Sequence, residues 1–243
     1  MIFSYKKHKG FTLVEMAIVL VILGFVLSAL LLPLQAQRNQ LFQTQTENTL
    51  EIAKKALLGY AQSQGRLPCP ATASGVEVPL GGGACTQLVG FIPAATLGIT
   101  PTDAQGFAID AWNNRIRYAV TNVNTNAFTT SGQMNTVGIT NLLPNLRVCN
   151  SSTVIAATTC STVPPAEVNY SINNAVAVIY STGITGSLAS GGADENANLD
   201  NNAVFVSHDP SATGAANGEF DHLVTWISPF VLYNAMIEAG QLH

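Results

Sequence analysis

The stretch Gly10-Phe11-Thr12-Leu13-Val14-Glu15, continuing as MAIVLVILGFVLSALLLPL to Leu34, decides how the rest of the chain is read. From Phe11 it is an apolar run of 24 residues broken only by Thr12, Glu15, Gly24, Ser28 and Pro33. That is long enough to cross a bilayer as a helix. Lys6, Lys7, His8 and Lys9 precede it, and the positive-inside rule keeps that end in the cytoplasm while the residues after Leu34 go outward.

Two features set this segment apart from a secretory signal. The apolar core is longer than the about 7 to 15 residues of a signal peptide, and no small-residue cleavage site follows it. Charge instead gives way to apolar sequence before the core, at Lys9-Gly10-Phe11. The second feature is Glu15. A carboxylate inside a membrane helix costs a few kcal/mol on insertion scales, so it points to a function and to a partner.

Gly10-Phe11-Thr12-Leu13-Val14-Glu15 followed by about twenty apolar residues resembles the leader and first helix of type IV pilins and of the pseudopilins of type II secretion. The resemblance implies cleavage between Gly10 and Phe11 by a prepilin peptidase on the cytoplasmic face and N-methylation of the new terminus at Phe11. It also implies an inner-membrane assembly platform and polymerisation with other pilin-like subunits into a helical filament. Glu15 then has a physical role in assembly, because the amine of Phe11 in one subunit is a cation that Glu15 of a neighbour neutralises in a low-dielectric setting. The residue also admits a second reading, in which Glu15 snorkels to the headgroups or stabilises its own helix N-terminus. The leader motif favours assembly.

The division expected is leader 1–10, membrane and assembly half of the helix 11–34, amphipathic half 35–65, and an exported globular domain 66–243. Pro33 is expected to bend the helix. Beyond it Phe42, Thr49, Ala53, Ala56, Leu57 and Tyr60 recur at helical spacing and predict the face that packs on the domain, with Gly65 as the stop. A helix from Phe11 to Gln64 is about 80 Å long. The fold class expected is α+β: this long helix on an antiparallel sheet, with a short C-terminal helix.

With 47% hydrophobic and 10% charged residues, the chain holds one anchor and one domain with a real core. Loss of the three leader lysines takes the net charge from −4 to −7. From residue 66 onward only Arg66, Arg115, Arg117 and Arg147 are basic against eleven acidic residues, which argues against a nucleic-acid surface. Cys69 with Cys85 and Cys149 with Cys160 form two close pairs, read as local disulfides in an oxidising compartment. Their spacing does not suit a zinc site.

Residues 66–106 are punctuated by proline and by Gly81-Gly82-Gly83, and predict a disulfide-pinned loop region. The glycine run lacks the Lys-Ser/Thr of a phosphate loop. Asp110-Ala111-Trp112-Asn113-Asn114-Arg115-Ile116-Arg117-Tyr118 resembles the D-x-W-G-N-x-x-x-Y element of major pseudopilins, with Asn113 in the glycine position and Trp112 and Tyr118 expected in the core. Residues 121–165 predict turns and short strands. Val168 to Tyr180 ends in an apolar run that predicts a central strand, and Ala203 to Ser207 and Phe220 to Ile227 predict two more. Asp194, Asn196, Asn198 and Asp200 place oxygen ligands at alternate positions, as in the first half of a calcium loop, and major pseudopilins carry an acidic calcium loop after a similar strand. A solvated Asx-rich loop accounts for the same residues equally well. Ser228-Pro229, Phe230 to Ala239 and Gly240 predict a capped helix whose Val231, Leu232, Ala235, Met236 and Ala239 face inward.

His208-Asp209 and Asp221-His222 are the residues that an acid-base or metal cluster would use, but no nucleophile or zinc motif fixes them, so no enzyme is expected. The reading is a bacterial inner-membrane subunit with a cytoplasmic N-terminus and a periplasmic domain, a minor pseudopilin of type II secretion. Its alternatives are a minor type IV pilin in adhesion, motility or DNA uptake, and a membrane-anchored periplasmic binding module or enzyme.

Overall fold

The computed structural model describes residues 10–161, 169–186 and 191–243, without the side chains of residues 29–34 and 36. The leader cations Lys6, Lys7, His8 and Lys9, Val168 of the expected strand and the expected bend at Pro33 lie outside the described residues or side chains. The chain divides into two compact units, Met1–Phe42 and Gln43–His243.

Helix α1 runs from Leu13 to Gln64 and belongs to both units. In the first, every described side chain from Phe11 to Ser28 is exposed. Among the described residues no helix is long and apolar enough to cross a membrane.

In the second unit Thr46, Leu50, Ala53, Leu57 and Ala61 of α1 are buried. They follow a spacing of three and four, so the helix presents one stripe to the domain. Thr46, Leu50 and Ala61 were not among the residues expected there, whereas Phe42, Thr49, Ala56 and Tyr60 are only partly buried. Gly65 ends the helix at φ +67° and donates to Ala61 O at 2.9 Å, as a left-handed cap does.

After it come β1 (Val89–Phe91), α2 (Ala94–Leu97), β2 (Arg117–Val120), the irregular turn α3 (Val123–Asn126), α4 (Gln133–Val137), a 3-10 turn (Ile139–Asn141) and β3 (Leu146–Cys149). They are followed by β4 (Tyr170–Ala175), β5 (Ala177–Ser181), α5 (Ala193–Ala197), β6 (Val204–Val206), β7 (Leu223–Ile227) and α6 (Pro229–Glu238). One antiparallel sheet has the order β1-β2-β5-β7, and a second has the order β4-β3-β6. Strands β3 and β6 are parallel, so the expected single antiparallel sheet is corrected to two, one of them mixed.

The layers explain the apolar run of β5. Tyr118, Val120, Ala177, Ile179 and Ile227 join a core with Leu57 and Ala61 of α1 and Leu232 and Met236 of α6. Ala119, Val178 and Tyr180 point the other way, into a core with Leu146, Val148 and Phe205 of the second sheet. A strand covered on both faces reads as continuous hydrophobic sequence rather than alternation. The expected central strand is β5, and the residues before it form β4. Val176 separates them and donates to Ile227 O, and β4 goes to the other sheet.

Both expected disulfides are formed, Cys69–Cys85 and Cys149–Cys160. Helix α6 has the expected cap: Ser228 Oγ accepts from Val231 N at 3.4 Å, with Pro229 next. Its inward face is Pro229, Leu232, Tyr233 and Met236, while Val231 and Ala239 are exposed. The face is set by the core that α6 shares with α1 and the sheet.

Candidate functional site

At the N-terminal end, Thr12 precedes the first helical residue. Thr12 N and Oγ1 donate to Glu15 Oε2 at 2.9 and 3.0 Å, and Glu15 N donates to Thr12 Oγ1 at 3.3 Å. This is a reciprocal capping box, which satisfies helix N–H groups that have no partner within the helix. Glu15 thus does stabilise its own helix N-terminus. Gly10 is exposed, and a Cβ there would meet nothing within 4 Å.

Residues 5–31 match the prokaryotic N-terminal methylation motif. The chain carries a prepilin motif of the type IV pilin and pseudopilin kind, which the exposed apolar residues and the box built on Glu15 extend into the helix. No curated protein and no solved structure matches the chain.

In the globular unit, the D-x-W element forms its turn. Asn113 takes φ +68°, a conformation that asparagine tolerates in place of glycine. Asp110 Oδ1 accepts from Trp112 N and Asn114 N at 2.9 and 2.8 Å, and Oδ2 accepts from Ser181 Oγ at 2.5 Å. Ala111 N donates to Thr46 Oγ1 of α1 at 3.2 Å. The turn therefore joins α1 to the end of β5. Burial raises the Asp110 pKa against the donors that surround it. Tyr118 is fully buried as expected, but Trp112 is only partly buried.

The four expected calcium ligands each have hydrogen-bond partners within the protein. Asp194 and Asn196 lie in α5, Asn198 caps it and Asp200 follows it. Asp194 accepts from Ser152 N at 2.5 Å, from Asn217 Nδ2 at 3.1 Å and from His208 Nε2 at 3.0 Å. Burial raises its pKa, and these hydrogen bonds outweigh that to hold it below the usual carboxylate range. Asn198 accepts from Val206 N at 2.7 Å and donates to Val206 O at 3.0 Å, like a piece of strand. Asn196 and Asp200 are exposed, the first donating to Gly191 O and the second accepting from Asn202.

A different cluster forms beside them. Glu195, Asp221 and His222 each offer a ligand atom, and these atoms lie within 4.8 Å of one another. Glu195 and His222 are buried, and Asp221 N donates to Glu195 Oε1 at 2.9 Å. Thr185 N donates to Asp221 Oδ2 at 2.8 Å. Burial foremost, with the charge of Asp221 adding, pushes Glu195 up to about 7. Burial and the Arg117 charge push His222 down to about 4, so its ring is neutral at physiological pH. His208-Asp209 and Asp221-His222 do not form one cluster: His208 bonds to Asp194, and His222 lies beside Glu195 and Asp221. Sequence reasoning missed Glu195, whose signal was hidden among the neighbouring Asp and Asn residues.

Proposed function

We propose that this protein is a pilin-like structural subunit, a minor pseudopilin of a type II secretion system. Prepilin peptidase cuts between Gly10 and Phe11, Phe11 is N-methylated, and residues 11–34 hold the chain in the bacterial inner membrane with the domain in the periplasm. The subunit then polymerises through that helix and has no catalytic activity of its own. The observation that carries this is the methylation motif at residues 5–31, together with a helix whose described side chains from Leu13 to Ser28 are all exposed. An apolar face of that length needs lipid or other helices to cover it. The D-x-W turn, formed around Asp110 and Asn113, supports the pseudopilin reading over the pilus one.

Thr12 and Glu15 both follow the scission point, so the capping box survives processing and places the Glu15 carboxylate near the new amine of Phe11 at the helix end. Mass spectrometry of the protein from its host should find a methylated Phe11 N-terminus, and Gly10→Glu should leave the leader attached. Glu15→Ala should still be cleaved but should fail to enter filaments. Normal incorporation of a cleaved Glu15→Ala subunit removes the assembly role. Loss of surface pili with secretion intact in a deletion strain would replace the pseudopilus by a pilus.

A further inference from the structure

We propose that Glu195, Asp221 and His222 bind a divalent transition metal ion of the zinc or manganese class. The three come from separate parts of the chain, Glu195 from α5 and the other two from the approach to β7, yet their ligand atoms lie within 4.8 Å of one another. Glu195 and His222 are 2% and 4% exposed, so a cation there replaces little water. Among the described residues, neither carboxylate is in an ion pair with a lysine or arginine.

An unused ligand atom points the same way. His222 Nδ1 lies 3.0 Å from Asn198 Nδ2. Asp221 Oδ1 is buried and has no hydrogen-bond partner among the described residues. Buried polar atoms left in this state are rare, because each forfeits its hydration without replacement. Both carboxylates pack closely against glycine backbone: a Cβ at Gly183 would collide with the Asp221 carboxylate, and one at Gly191 with that of Glu195.

Donor chemistry selects the ion. Two carboxylates alone suit calcium or magnesium, which prefer oxygen throughout. A neutral imidazole beside them suits zinc or manganese instead. The outer groups also fit, since Thr185 N and Asp221 N each hold one carboxylate in place. Asn198 is fixed by its paired bonds to Val206, so its amide donates to His222 Nδ1 and the neutral ring carries its proton on Nε2. Metal binding at Nε2 moves that proton to Nδ1, and the Asn198 contact opens. The ion would tie α5 to the start of β7. This inference does not depend on filament assembly.

The test uses the full chain in detergent, without a histidine tag, stripped with chelator and dialysed in turn against Zn2+, Mn2+ and Ca2+. About one equivalent of zinc or manganese should be retained, consistent with a single site. The melting temperature should rise, and the His222 ring nitrogens should show the tautomer change by NMR. Glu195→Gln and Asp221→Asn should abolish retention, while Asp194→Asn, in the neighbouring network, should keep it. Superimposable melts with no metal retained by the unmutated chain overturn the proposal. So does equal retention by Glu195→Gln and Asp221→Asn, which would place the metal elsewhere, and so does retention of calcium alone.

Discussion

The Glu195 carboxyl shows at the scale of one residue how a fold sets chemistry. In an unfolded chain it ionises near its ordinary 4.5, and in the folded protein near about 7, because burial and the facing Asp221 charge disfavour the anion. The native state therefore holds the proton over a wider pH range. Its contribution to stability is fully present below about 4.5 and is lost as pH rises through about 7. His222 acts oppositely, since its pKa falls from 6.5 to about 4 and its contribution is lost as pH drops through that window. Total stability thus conceals both effects, and a single substitution separates them. In chelator, Glu195→Gln should raise the melting temperature relative to the unmutated chain more at pH 8 than at pH 5. An equal difference at both values would show that Glu195 is not held protonated.

Among elements, the loop closed by Cys69–Cys85 is organised from inside by an ion pair. Arg66 Nη2 and Nη1 donate to Glu77 Oε1 and Oε2 at 2.7 and 2.8 Å, a bidentate pair with both side chains almost fully buried. Tyr60 of α1 donates to Glu77 Oε1 at 3.1 Å and accepts from Arg66 Nη2 at 2.7 Å. Cys69 N and Gly81 N also donate to Glu77. Burial alone would raise the Glu77 pKa, but the hydrogen bond and charge of Arg66 hold it below the usual carboxylate range. Removing one partner of such a pair strands the other charge, which costs about 3 to 5 kcal/mol. Glu77→Gln should lower the denaturant midpoint accordingly. Lys54→Ala, which breaks the exposed pair with Glu51, should cost under about 1 kcal/mol. Similar losses for the two would mean that the loop is held by its disulfide alone.

For the whole molecule, the division after Phe42 has a direct consequence. Both disulfides, both sheets and the buried stripe of α1 from Thr46 to Ala61 lie within Gln43–His243. The exposed apolar side chains from Phe11 to Leu27 lie outside it. A chain beginning at Gln43 should accordingly fold without detergent and melt within a few degrees of the full-length protein. A molten product with weak near-UV circular dichroism would show that the domain needs the preceding helix.

The sequence by itself determined the features that depend on neighbours a few positions apart. The charge-to-apolar junction at Gly10, the T-x-x-E box of Thr12 and Glu15, the stop at Gly65, the two local disulfides and the Ser228-Pro229 helix start all follow from short-range geometry. The stripe of α1 was only partly legible, because Thr46 and the small Ala61 are buried by what covers them rather than by their own hydrophobicity. Only the tertiary structure decided the break at Val176, where one apolar run serves two sheets, and the parallel pairing of β3 with β6. It also decided that Asp194 and Asn198 become structural bonds, while Glu195 meets Asp221 and His222 from 26 and 27 positions away. Spacing along the chain carries no record of such meetings, since loop closure and packing select them only once both cores have formed.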